Sequence, residues 1–498
     1  MKLKLSTPII ILITVSIAFL IIKIPQIDFR YGDENIYFYE AQLITQGQFP
    51  YRDFFFASPP LELLFLAGII FIFGFNVWIL KLFLLGIILA TAWLIFATVR
   101  GFRGVRGGEL AGLCAAIFYL FSFLNLTTSD YYSGAQLTIF FFVLALYLIS
   151  LKKPIAAGVT VALSFFTRFY AAPLILALII YLLLKERKQF WRFIFSAGTL
   201  FILINVALYL GFGQNYLQNV LSYNVHKFEQ LEKLRVFRFF MRWDIALLTL
   251  AALGATLVRP INLMILLGAA TAGLFIGFFP DIYYLYYNLL LPFLAGSAGL
   301  FLSRVCHSDR RSDEHRTVVE ESLTLSVIDG RRDPSTSSRI LGTTLGMTLC
   351  VFVLFAISGY NIYYYLRDHA PAAHIDYLSE LNTFVAENSS PNDKIYGSFE
   401  ITPLVAGATG RQIVRNFIDT NNKTFSTGIF KLEEREKILA EQKVKFIITK
   451  VLVDADGNLV ELGDYISLNF LQTNCQIIKQ YPIYKDYYSN LTLVWECF

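Results

Sequence analysis

An acidic pair, Asp33-Glu34, stands just beyond the first apolar run of the chain, Pro8 to Ile24. It lies within Phe29-Arg30-Tyr31-Gly32-Asp33-Glu34-Asn35-Ile36-Tyr37. A carboxylate at a membrane boundary is costly, because it loses hydration as it sinks toward lipid. Two adjacent like charges also repel unless a cation or a substrate uses them. The blander reading is a helix lying on the membrane with a solvated acidic end, since carboxylates are favoured at helix N-termini. In that helix Ile36, Tyr39 and Leu43 would share the apolar face. Dense aromatics follow, in Gly47-Gln48-Phe49-Pro50-Tyr51-Arg52-Asp53-Phe54-Phe55 and then Ser58-Pro59-Pro60-Leu61, as expected at a headgroup interface.

The elements that must position this pair are membrane helices. The 498-residue chain is 56% hydrophobic and 16% charged, with net charge +5; soluble domains run nearer a quarter charged. Its apolar residues cluster in blocks of about twenty, enough to cross a hydrocarbon core of about 30 Å. The pattern predicts a polytopic α-helical membrane protein. About eleven spans fall at 8–24, 77–99, 109–126, 134–151, 154–168, 171–185, 190–213, 243–258, 261–279, 283–303 and 341–360. The stretch 59–75 is short and opens with Pro59-Pro60. Leaving it at the outer interface puts Arg100, Arg103, Arg106, Lys152, Lys153, Arg187, Lys188 and Arg259 inside, as the positive-inside rule asks. Counting it as a crossing would put them all outside. The first helix is expected to be retained, with the N-terminus cytoplasmic, because no small-residue cleavage site follows it. The chain after about residue 361 is then extracytoplasmic.

Residues 1–360 read as the membrane domain, with 25–76 a long outer loop. Segment 304–339 is polar and Ser/Arg/Asp-rich and reads as a disordered cytoplasmic insertion. Residues 361–498 read as a small extracytoplasmic α/β domain. Lys394–Tyr396, Val444–Thr449 and Leu491–Trp495 are its apolar strand-like runs, and Ile375–Glu387 and Leu432–Gln442 its amphipathic stretches. Asp454 to Asn458 reads as a turn between strands. Cys475 and Cys497 share this domain and could pair in an oxidising compartment. There is no basic stripe with interleaved aromatics, so no nucleic-acid partner is expected.

The order of acidic pair, aromatic helix, Gly-x-x-Pro-Tyr-Arg-Asp-Phe and Pro-Pro-Leu resembles the first extracytoplasmic loop of the GT-C glycosyltransferases. It is most similar to the branch of protein O-mannosyltransferases and lipid A aminoarabinose transferases. The resemblance extends over the whole architecture, and its motifs are short and degenerate. It implies transfer of a sugar from a polyprenyl phosphate to an acceptor hydroxyl, with inversion at the anomeric carbon. Asp33 would accept the hydroxyl proton. Glu34 would orient the acceptor or share a divalent cation. Asp130, in Thr128-Ser129-Asp130-Tyr131-Tyr132, would complete that hard-cation site or simply cap the next helix.

Arg168, in Phe166-Thr167-Arg168-Phe169-Tyr170, would grip the donor phosphate with its planar fork, or snorkel to the headgroups. Where relatives place a Lys or His just before the Pro-Pro pair, this chain has Ser58; Arg52 is the substitute considered for that contact. Glu62, His226 and Tyr37 would contact the acceptor or support the site. His226 and Glu229 have helical i,i+3 spacing suited to a metal, though a lone His is more often structural. The stretch Pro403 to Asp419 resembles the tail domains of bacterial relatives and would dock the acceptor or support a lid.

The expected function is an integral membrane glycosyltransferase of the inner (plasma) membrane. Its donor would be a polyprenyl-phosphate sugar among membrane lipids, and its acceptor a protein, lipid or glycan. A divalent cation is the one cofactor to consider. The rival readings are a secondary transporter and a non-catalytic partner in surface polysaccharide assembly. The helices show no internal two-fold repeat, and the polar residues gather on one face rather than at the midplane.

Overall fold

The computed structural model describes residues 6–497 except 28, 102–106, 226–232, 258–262, 280–281, 308–334, 370–374, 376, 429, 454–458, 464 and 484–488. His226, the 454–458 turn and most of the 304–339 insertion lie outside the described residues.

The membrane domain is a helical bundle. In chain order it begins with α1 (Thr7–Lys23), α2 (Glu34–Thr45), α3 (Leu61–Phe73), α4 (Val77–Arg100) and α5 (Gly108–Phe121). Next come α6 (Phe123–Thr128), α7 (Ala135–Ser150), α8 (Pro154–Thr167), α9 (Ala172–Lys185) and α10 (Arg187–Phe212). Later helices run Lys233–Leu257, Leu263–Phe278, Leu291–His307 and Ser335–Tyr364. Among the described residues, three helices are long and apolar enough to cross a bilayer: Thr7–Gln26, Val77–Arg100 and Arg187–Phe212. Seven shorter apolar helices accompany them. At thirteen residues, α3 is about 20 Å long, short of a full crossing.

Three departures from the expected pattern have identifiable causes. The run expected at 109–126 breaks at Ser122, whose backbone is extended and whose hydroxyl accepts the Asn125 N–H to start α6. The helix expected from 243 begins at Lys233 and kinks at Asp244. Asp244 spends its carboxylate on the N–H groups of Phe123 and Leu124, at 2.8 and 2.9 Å. Finally, α2 is not an amphipathic helix with a solvated end. Glu34, Phe38, Glu40 and Ala41 are buried along with Ile36, Tyr39 and Leu43, because α3 and the helix Thr402–Thr409 pack against it.

The C-terminal domain holds a six-stranded sheet of β1 (Lys394–Gly397), β2 (Gln412–Ile413), β3 (Phe446–Val453), β4 (Leu459–Leu462), β5 (Cys475–Ile483) and β6 (Ser489–Cys497). The order is β2-β1-β3-β6-β5, with β4 on β3. β1 runs parallel to β2 and β3, and the other pairings are antiparallel. The expected helices appear as Leu378–Glu387 and Leu432–Glu441. Cys475 lies opposite Cys497 in the β5–β6 ladder and is disulfide-bonded to it.

The domain docks on the outer loop through polar contacts. Asn35 Nδ2 donates to the Arg30 carbonyl (2.7 Å) and the Glu400 carbonyl (2.6 Å). The Ile413 N–H donates to the Tyr39 hydroxyl at 3.2 Å. These contacts, with the apolar cluster joining Ile36, Leu43 and Tyr51 to Ile401, Leu404 and Ile418, seat the sheet beside α2.

Candidate active site

A cavity of about 700 Å³ lies between the outer loop, the α6–α7 and α8–α9 connections and the C-terminal domain. α2 supplies one wall. Asp33, Ile36, Tyr37 and Glu40 all line it, a spacing that puts them on one helical face. The turn before α2 needs glycine: Gly32 has φ of +151°, and a Cβ there would lie 2.5 Å from the Tyr131 hydroxyl. That hydroxyl accepts the Asp33 N–H at 2.9 Å. The start of α2 is thus held from the α6–α7 connection.

Arg168 reaches the cavity because α8 ends at it, with extended backbone. It is 7% exposed. Its Nη2 lies 2.6 Å from Glu62 Oε2, its Nη1 donates to the Ser58 hydroxyl, and the guanidinium sits 4.6 Å from the Tyr37 ring centre. The room for this pair comes from Gly134, where a Cβ would lie 2.6 Å from Arg168 Nε and 2.7 Å from Glu62 Oε2. A cation held over an aromatic face and edged by hydroxyls suits a phosphate oxygen.

The other predicted residues go elsewhere. Glu34 is fully buried: Oε1 takes the Lys81 ammonium at 2.7 Å and Oε2 accepts the Tyr132 N–H at 2.8 Å. Burial pushes its carboxyl up, against the opposing pull of Lys81. Asp130 pairs with Lys23 at 2.7 Å and Arg30 at 2.6 Å. Burial opposes its charge, but the Lys23 and Arg30 charges outweigh it and hold it below the usual carboxylate range. The cation site expected from Glu34 and Asp130 is therefore corrected. Each carboxylate is already matched by ammonium or guanidinium, so the donor set does not fit a divalent ion. Among the described residues no three His, Cys, Asp or Glu side chains converge as a metal shell.

Arg52 is also misplaced by the sequence reading. Its side chain is 57% exposed, pairs with Asp53 at 2.8 Å and does not line the cavity. Glu62 acts behind Arg168, while Tyr37 is in the wall itself.

The sequence reading did not single out Glu40 or the Asp419 carboxylate, both of which line the cavity. Glu40 was findable: it lies seven residues after Asp33, on the same face of one helix. Lys23 and Lys81 were findable too, since a lysine inside an apolar run needs an acid. Asp419 ends the Pro403 to Asp419 stretch expected to dock the acceptor or support a lid, but nothing local marked its carboxylate as a cavity residue.

With this geometry in view, the likenesses to known proteins take on meaning. A family described as dolichyl-phosphate-mannose-protein mannosyltransferase matches residues 57–210, less than half of the chain. That stretch holds Ser58, Glu62, Asp130 and Arg168 and leaves out Asp33. No curated protein sequence matches the chain. ArnT from Cupriavidus metallidurans in the apo state shares the fold with TM-score 0.64, 12% identity and 98% coverage of both chains. The same protein bound to undecaprenyl phosphate gives 0.63 at 12% identity, over 98% of this chain and 97% of that one. The archaeal oligosaccharyltransferase AglB from Archaeoglobus fulgidus, in complex with an inhibitory peptide and a dolichol-phosphate, gives 0.55 at 13% identity, over 92% of this chain and 75% of that one. The chain is an integral membrane protein with the GT-C glycosyltransferase fold, as its first loop had suggested.

Proposed function

We propose that this protein is a membrane glycosyltransferase that moves a sugar from a polyprenyl-phosphate donor to an acceptor hydroxyl on the extracytoplasmic side of the inner (plasma) membrane. The observation that carries this reading is that Asp33, at the start of α2, and Arg168, at the end of α8, line one cavity. Asp33 takes the proton of the acceptor hydroxyl as its oxygen attacks the anomeric carbon. The bond from that carbon to the phosphate oxygen breaks, and the phosphate leaves with the electron pair. Arg168 stabilises the charge that develops there. Such a displacement inverts the anomeric centre.

Glu34 works as a positioning residue in this reading. Its bonds to Lys81 and the Tyr132 N–H tie the first turn of α2 to α4 and the α6–α7 connection. The proposed topology has about eleven crossings, a cytoplasmic N-terminus and the 361–498 domain outside. The fold's likeness to proteins solved with undecaprenyl phosphate and dolichol-phosphate supports the donor class.

The test is a transfer assay in proteoliposomes with a panel of polyprenyl-phosphate hexoses and pentoses. Wild type should release free polyprenyl phosphate, and Asp33→Asn at matched expression should not. If wild type consumes no donor, or the variant equals it, the reading is wrong and the transporter alternative moves ahead.

A further inference from the structure

Glu40 has no place in the chemistry above, yet it is built into the same wall as Asp33. It is 1% exposed, lines the cavity, and its Oε2 has no hydrogen-bond partner. No cation pairs with it within salt-bridge distance among the described residues. An unpaired buried charge would be expensive, and burial, then the charges of Asp419 and Glu62, push this carboxyl well above the usual range. A neutral carboxyl carries one O–H donor and a free acceptor oxygen. That combination matches a hydroxyl better than it matches an ammonium or a phosphate.

The surroundings fit the same partner. Asp419, Thr420 and Asn421 of the C-terminal domain line the cavity along with Phe55 and Tyr283. Aromatic faces beside short polar groups can cover the apolar faces of a sugar ring while bonding its hydroxyls. Along α2, Glu40 lies two turns, about 10 Å, from Asp33, with Tyr37 and its stacked Arg168 between them.

We propose that Glu40 and Asp419 form a subsite that reads the hydroxyl groups of a sugar ring, so that the C-terminal domain completes the specificity of the cavity. This rests on the glycosyltransferase reading and deepens it. The ring belongs to the lipid-linked donor or to a glycan acceptor, and the two sources give different results.

The experiment compares wild type, Glu40→Ala, Glu40→Gln and Asp419→Asn in equilibrium binding of undecaprenyl phosphate and of its hexose and pentose derivatives. Initial-rate transfer is measured beside it. All variants should bind bare undecaprenyl phosphate like wild type, which also shows that they fold. For a donor-sugar subsite, Glu40→Ala loses about tenfold or more in affinity for the glycosylated lipid, and Glu40→Gln, which keeps a donor and an acceptor, falls between. For an acceptor subsite, donor affinity stays and the acceptor KM rises by the same factor. If Glu40→Ala fails to bind bare lipid, Asp419→Asn carries the comparison. Unchanged donor affinity, sugar preference and acceptor KM in an active Glu40→Ala or Asp419→Asn protein would overturn the subsite alone. A wild type inactive on every donor would instead overturn the function it rests on.

Discussion

Arg168 and Glu62 form a buried ion pair at 2.6 Å, and the same guanidinium donates to the hydroxyl of Ser58. Ser58 occupies the position before Pro-Pro where the resemblance leads one to expect a basic residue. The end of α8 thus brings a guanidinium to that loop.

Removing one partner of this pair should cost more than removing both. Arg168→Ala leaves the Glu62 carboxyl buried without its counter-charge, at about 3–5 kcal/mol. Thermal unfolding in detergent should show a large loss for Arg168→Ala and partial recovery in Arg168→Ala/Glu62→Gln. Affinity for undecaprenyl phosphate should stay low in both. A double variant that binds the lipid like wild type would show that Arg168 does not hold the phosphate.

Asp33→Asn keeps the shape of the first turn of α2 but cannot take a proton. Turnover should fall by roughly 10²–10⁴-fold, with lipid binding unchanged. The measurement is initial-rate transfer at saturating donor alongside equilibrium lipid binding. Equal losses in both would point to a damaged fold rather than a missing base.

Asp130 links stability to pH. Its folded pKa lies below the unfolded value, which is about 3.9. The ionised form therefore stabilises the fold fully above that value, and the contribution disappears as pH falls through the folded pKa. Melting temperature should drop as pH falls below about 4, and Asp130→Asn should flatten that acid limb while lowering stability at neutral pH. A variant that melts like wild type at pH 7 would contradict the pairing with Lys23 and Arg30.

The Cys475–Cys497 bond closes a separation of 22 residues. The chain-entropy model gives such a loop about 3 kcal/mol of stability. Cys475→Ser/Cys497→Ser should lower the denaturation midpoint of the C-terminal domain by an equivalent amount, followed by tryptophan fluorescence from Trp495, which is buried on β6. An unchanged midpoint would mean that the β5–β6 ladder needs no crosslink.

Part of the lining of the candidate cavity was legible one residue at a time. Asp33, Tyr37 and Arg168 were picked out for charge and shape in aromatic loops near apolar runs, and the fold puts all three around one cavity. Arg52 failed because its neighbour Asp53 satisfies it locally. The cation expected at Glu34 and Asp130 failed because the nearest charges in sequence are not the nearest in space. Lys81 comes from 47 residues away and Lys23 from 107.

What the sequence determined by itself was the class of the molecule and the helices that build it. Long apolar runs cannot leave their backbone groups unpaired in lipid, so they become helices whatever surrounds them. Local chemistry likewise set the breaks, at Ser122, before Gly134 and at Arg168. Only the tertiary structure decided which carboxylates were spent and which faced the cavity. Whether a buried charge is neutralised depends on partners brought in from remote segments, and no local pattern encodes that distance. The same holds for Glu40 and Asp419, which are 379 positions apart by their numbers and share a wall only because the C-terminal sheet docks beside α2.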